Sequence, residues 1–143
     1  MIYIKNVEIR WSDLDPNYHL RHSAYYDFGA YCRICFLYDN GITDKLMRQQ
    51  EIGPILFREK CRFKREIIFG DRISITLKLK SVSSDFRKFS MLHEIYKNDN
   101  ELAALLTIDA AWMSTSLRKV IIPPQIIIDS LDVLEKTDDF ILT

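Results

Sequence analysis

Asp13 and Asp15 lie in a turn-forming stretch, Ser12 to Asn17, just ahead of His19, His22 and a long apolar run that opens at Ala24. A carboxylate can act as a nucleophile or as a base that makes one from water, and a reaction that builds negative charge on an oxygen also needs a donor for it. A carboxylate in a turn before a helix N-terminus meets both needs, because the first N–H groups of the helix have no partner within it. The competing reading is structural: Asp in a turn commonly accepts backbone N–H bonds. Asp13 is assigned that role, and spacing alone would give it to Asp15 as well.

The elements that must position this turn stand on either side of it. Tyr3, Val7, Ile9 and Trp11 share one parity, which predicts a strand ending near Trp11. Ser23 is placed to cap a helix with apolar residues Ala24, Phe28, Tyr31, Cys32, Cys35 and Phe36 on one face, and Asn40-Gly41 supplies a left-handed stop. Its other face carries Tyr26, Ala30, Ile34 and Leu37, and a helix apolar nearly all round is normally buried. Thr43 caps a short second helix reaching Gln50, ended by Gly53-Pro54.

Alternation then predicts strands over 55–67, 73–80, 86–97 and 102–113, the last nearly all apolar and so interior, with the four joined as a meander of hairpins. Pro123-Pro124 precedes a short helix over 126–134 with a polar tail behind it. Strand, long helix, then antiparallel strands gives an α+β fold in one domain over residues 1–143: one curved sheet wrapped around one long central helix.

The pattern I-R-W-S-D-x-D-P-x-x-x-x-x-H-x-x-Y, from Ile9 to Tyr25 and followed by Arg33, resembles the signature of the hotdog-fold acyl-CoA thioesterases, the 4-hydroxybenzoyl-CoA thioesterase and YbgC-like group. The likeness continues through the strands to Ser116-Leu117-Arg118-Lys119 and the Pro123-Pro124 beyond. It implies a hotdog fold and hydrolysis of an acyl-CoA or acyl-carrier thioester. Asp15 becomes the catalytic carboxylate, the backbone N–H of His22 the oxyanion donor, and the His22 side chain a group that orients water or the leaving thiol. Tyr18 and Tyr25 are the expected substrate contacts beside them, with Arg87, Lys88, Arg118 and Lys119 as candidate phosphate ligands. No metal and no organic cofactor is expected beyond the substrate's own carrier. Two departures from the pattern stand out: Tyr18 replaces a customary Gly and Ala30 replaces a customary acid. They keep open a second reading, a hotdog protein that binds an acyl ligand or assembles without hydrolysis. A hotdog dehydratase is weaker, because the His-rich Pro-Gly-His-Phe-Pro type segment is missing. The resemblance also implies a homo-oligomer, dimer or tetramer, since exposed sheet edges need partners.

Other residues have plainer readings. Cys32 and Cys35 form a C-x-x-C deep within the helix rather than at its N-terminus, so packing is expected over redox or zinc chemistry, and the odd total of three cysteines gives no disulfide framework. His19 reads as a loop histidine, His93 as a cross-strand neighbour, and Asp109 as an acid needing a partner if buried. The 20 basic and 20 acidic residues balance, leaving no basic field for nucleic acid. The first residues show no apolar leader core and no later run is long enough for a bilayer, which gives a cytoplasmic expectation with no membrane span.

Overall fold

The computed structural model describes every residue, Met1–Thr143. The chain forms seven strands: β1 (Tyr3–Val7), β2 (Ile52–Phe63), β3 (Ile73–Val82), β4 (Lys88–Lys97), β5 (Glu101–Ser114), β6 (Lys119–Val120) and β7 (Lys136–Leu142). Three helices accompany them: α1 (Ala24–Asp39), α2 (Asp44–Gln49) and α3 (Gln125–Asp132). The sheet runs β1-β3-β4-β5-β2, with β6 on β5 and β7 beside β3, and it curls around α1. This is the α+β architecture that the element order implies.

Packing between α1 and the sheet follows from residue size. Ala24, Phe28, Gly29, Cys32 and Phe36 are buried on the inner face of α1, over a floor that includes Ile75, Leu77, Ile95 and Ile108. Gly29 permits the closest approach: a Cβ there would lie 2.3 Å from Leu106 Cδ2 and 3.3 Å from the His93 ring. Cys32 points at the carbonyls of Ile75 and Thr76, and burial pushes its thiol up to about 12, so it packs rather than reacts. All three cysteines are free. No helix is long and apolar enough to cross a membrane.

Several expectations need correction. β1 stops at Val7, and Trp11 opens a turn of 3₁₀ helix with its ring 83% exposed. The strands do not form a four-strand meander: only β3, β4 and β5 are hairpin-connected, while β2 crosses to the far edge and pairs with β5. Gly53-Pro54 lies inside β2, where Pro54 is compatible with an edge position. Residues 136–142 form β7, parallel to β3, rather than a polar tail. Ser23 sits at the N-cap of α1, but its hydroxyl accepts from the Arg21 guanidinium and caps no helical N–H. The outer face of α1 is also open, with Tyr31, Ile34 and Tyr38 42–51% exposed.

Candidate active site

The turn before α1 is built around Asp15. Asn17 N–H and His19 N–H donate to Asp15 Oδ1 at 2.9 and 3.1 Å, while Tyr18 N–H donates to the Asp15 carbonyl and Asp15 N–H to the His19 carbonyl. These bonds fix the carboxylate's direction through one oxygen. The other, Oδ2, accepts nothing from the protein. Tyr18 adopts φ 63°, a left-handed conformation that suits Gly and strains a residue with a side chain. That accounts physically for the Gly customary at this position.

Leu20 N–H on the Ile67 carbonyl at 2.7 Å ties the loop to the segment between β2 and β3, and Arg21 N–H on the Asp13 carbonyl at 2.8 Å closes the loop on itself. Asp13 is the structural carboxylate. Fully buried, it accepts from Arg10 N–H and the Arg10 guanidinium and lies 3.6 Å from Arg21. Burial alone would raise its pKa, but the Arg10 donors and the Arg10 and Arg21 charges outweigh that and hold it below the ordinary carboxylate value.

Asp15, His19, His22, Tyr25, Phe63 and Lys64 line a cleft of about 380 Å³ together with Arg65 and Glu66. The backbone N–H of His22, a residue of the cleft lining, has no acceptor within the protein and so is free for a ligand. Tyr25 forms the wall: it is 4% exposed, meets Phe63 edge-to-face at 4.9 Å, and burial followed by the nearby Cys61 and Asp15 groups pushes its phenol up to about 12. A fixed carboxylate, a free amide donor and an apolar wall are thus brought to one cleft. Such a set can drive water or an acyl carbon toward Asp15 and stabilise negative charge at His22.

Of the residues singled out from sequence, Asp15, His22 and Tyr25 meet here. Tyr18 stands outside the cleft lining with its ring 69% exposed. Arg87 lies in the β3–β4 turn beside Asp85 at 2.8 Å, and Arg118 in the turn after β5 with φ 58°. Within one chain both sit at the opposite end of β5 from the cleft. The cleft borders Ala103, whose carbonyl takes the Lys64 and Arg65 N–H groups, whereas Arg87 bonds Trp112, nine residues and about 30 Å along the strand. Lys64 and Arg65 are the cations that sequence reasoning missed. The run Arg62-Phe63-Lys64-Arg65 carries the signal, but strand alternation over 55–67 does not show where its cations lie. His19 also lines the cleft, 3.3 Å from Glu66. Asp109 takes the Ser90 hydroxyl at 2.6 Å, the partner an acid in that strand requires.

Residues 9–131 match the model of the thioesterase-like superfamily. No curated protein matches the chain. Among solved structures, protein SAV2348 of Staphylococcus aureus, determined with CoA, is 16% identical over 96% of this chain and 87% of its own, with a TM-score of 0.86. The Synechocystis protein Slr0204, a 1,4-dihydroxy-2-naphthoyl-CoA thioesterase, is 15% identical over 94% of this chain and 98% of its own, TM-score 0.83. The gentisyl-coenzyme A thioesterase BH1999 is 17% identical over 90% and 98%, TM-score 0.77. Identities this low establish a shared hotdog fold.

Proposed function

Since this chain belongs to the thioesterase-like superfamily, matching its model over residues 9–131, we propose that it hydrolyses an acyl-CoA thioester to a free acid and a thiol. The observation that carries the reading is Asp15: one oxygen is locked by two backbone N–H groups, the other has no protein partner, and Asp15 lines one cleft with His22, whose N–H has no protein acceptor. The thioester carbonyl oxygen takes the His22 N–H as it becomes negative. The Asp15 carboxylate acts on water or directly on the acyl carbon, and water supplies the oxygen of the acid and the proton of the thiol. The CoA-bound Staphylococcus protein and the two CoA thioesterases support a CoA carrier. Lys64 and Arg65 are placed at the cleft to meet its phosphates.

A second copy completes the site in this reading. β2 pairs only with β5, leaving its other edge open, and Leu56, Phe57 and Phe63 on it are 44–58% exposed beside the open face of α1. Antiparallel pairing of two β2 edges about a two-fold axis covers that edge. It also sets the Phe63 end of one strand beside the Ile52 end of the other, bringing Asp15 of one copy toward the end of the other sheet where Arg87 and Arg118 lie. A thiol-release screen over short, long and aromatic acyl-CoAs, run beside light scattering, tests both parts. Turnover by a dimer or tetramer is expected. Acyl-CoA binding without turnover would favour the binding-module reading, and a monomer that turns over would remove the second copy.

A further inference from the structure

Equal totals of basic and acidic residues conceal an uneven distribution. Arg58, Lys60 and Arg62 alternate along β2 opposite Asp109, Thr107 and Leu105 of β5, while the residues between them pair with the buried Ile108 and Leu106, so the three cations stand on the outer face of the sheet. Lys88 of β4, opposite Ala111, shares that face. All four are exposed, and none takes part in an ion pair. Neighbouring charges on the face are already matched: Lys78 meets Glu94 at 2.9 Å, and Asp109 takes the Ser90 hydroxyl at 2.6 Å. Acids gather instead at the far edge, with Glu135, Asp138 and Asp139 in and just before β7, beside β3.

This layout fits an extended anion rather than a single phosphate. Successive cations on one face of a strand lie about 7 Å apart, so Arg58 to Arg62 spans about 13 Å in a line, whereas one phosphate is held by donors that converge on it. Pairing of the β2 edge leaves the row open, since side chains stand perpendicular to the sheet. In the two-fold arrangement proposed above, the axis passes between the two β2 strands, and the rows of both copies lie side by side on one continuous outer face. A planar anionic surface normal to that axis meets both rows at once. A lone acidic protein does so only if it carries the same symmetry.

We infer that the outer face at the β2 pairing docks on an anionic lipid surface, with Arg58, Lys60, Arg62 and Lys88 of both copies against the lipid phosphates. This rests on the β2 pairing and not on hydrolysis. The contact is electrostatic, because the apolar side chains among the cations, Leu92 and Leu105, are half-buried and too withdrawn to enter hydrocarbon. Arg62 adjoins Phe63 and Lys64 of the Asp15 cleft, so docking holds that cleft at a surface into which long acyl chains partition.

The test is sedimentation with vesicles of equimolar phosphatidylcholine and phosphatidylglycerol, beside vesicles of phosphatidylcholine alone. The wild type is expected to bind the first and not the second. Its affinity should fall at least about tenfold when NaCl rises from about 0.1 M to about 1 M, which cuts the screening length from about 10 to about 3 Å. Each cation lost from such a surface costs about fivefold in affinity, so Arg58→Gln combined with Lys60→Gln and Arg62→Gln should bind at least about 100-fold more weakly. Lys45→Gln with Arg48→Gln, on α2, is the control and should bind as the wild type does. Light scattering checks that the triple variant still assembles; should it not, Lys60→Gln alone, with about a fivefold loss, takes its place. No binding, equal binding to both vesicles, or binding that these variants keep in full overturns the inference, as does tighter binding to duplex DNA than to the anionic vesicles, or a wild type that is monomeric. Turnover of acyl-CoA without vesicle binding overturns the inference and leaves the hydrolysis reading, whereas row-dependent vesicle binding without turnover upholds the inference and removes hydrolysis.

Discussion

Acidification should expose the buried His93. Its ring is 0% exposed, wedged between the Thr76 carbonyl and the Arg33 guanidinium, and desolvation followed by the Arg33 charge lowers its pKa to about 3, against 6.5 for a free imidazole. The unfolded chain takes up a proton near pH 6.5 that the folded chain refuses until about pH 3, so stability must fall as pH drops through that window. Above pH 6.5 neither state is protonated and the contribution is flat. The slope for one such group is about 1.4 kcal/mol per pH unit, so going from pH 6.5 to pH 5 costs about 2 kcal/mol. For a chain of this length that lowers Tm by about 5–7 °C. His93→Gln is the comparison, since its side-chain oxygen can still accept from Arg33 and it does not titrate. Urea unfolding followed by circular dichroism at pH 7 and pH 5 should show the wild type losing about 2 kcal/mol more than the variant. Parallel losses in the two proteins would mean that His93 is hydrated or charged in the fold, which would contradict its burial as a neutral ring between Thr76 and Arg33.

Three further outcomes follow from the geometry. Gly29→Ala gains helix propensity but drives a methyl against Leu106, Arg33 and His93, so a net loss of about 0.5–2 kcal/mol is expected by urea unfolding. Asp13→Asn removes the buried acceptor shared by Arg10 and Arg21 and should cost about 1–3 kcal/mol. Because the Asp13 pKa is depressed in the fold, that cost is full above the unfolded carboxylate value and vanishes as pH falls through the folded one; a loss that persists at acid pH would contradict the ion-pair account. His22→Ala keeps the backbone donor and should retain substantial thiol release, whereas losing an oxyanion donor typically costs about 10²–10³ in rate. Complete inactivity in a folded His22→Ala would make its side chain essential.

What the sequence disclosed was mostly local. Helix α1 and the β3 to β5 meander are written in spacing within a few residues, as is the turn that folds around Asp15. The place of β2 was not, because a strand that crosses the fold to an open edge shows the same alternation as one paired with its successor. β7 escaped notice because Lys136 to Asp139 is polar and its pairing with β3 joins segments more than 50 residues apart. The site divided the same way. Asp15 and His22 were legible from the turn and the family-like pattern, but Lys64 and Arg65 reach the cleft through long-range pairing of Leu20 with Ile67 and His19 with Ile68, and Arg33 meets His93 across 60 residues of chain.

The central claim is that the Asp15 carboxylate performs the chemistry of a bound thioester. Asp15→Asn keeps a side-chain oxygen able to accept from Asn17 and His19, so the turn should survive with Tm within a few degrees of wild type. Its charge is gone, and with it both the nucleophilic and the base role. Thiol release from the best acyl-CoA in the screen, measured for wild type and Asp15→Asn with binding followed in parallel, is the decisive comparison. The account predicts unchanged binding and a rate lowered by at least about 10²-fold. Equal rates in the two folded proteins would contradict it.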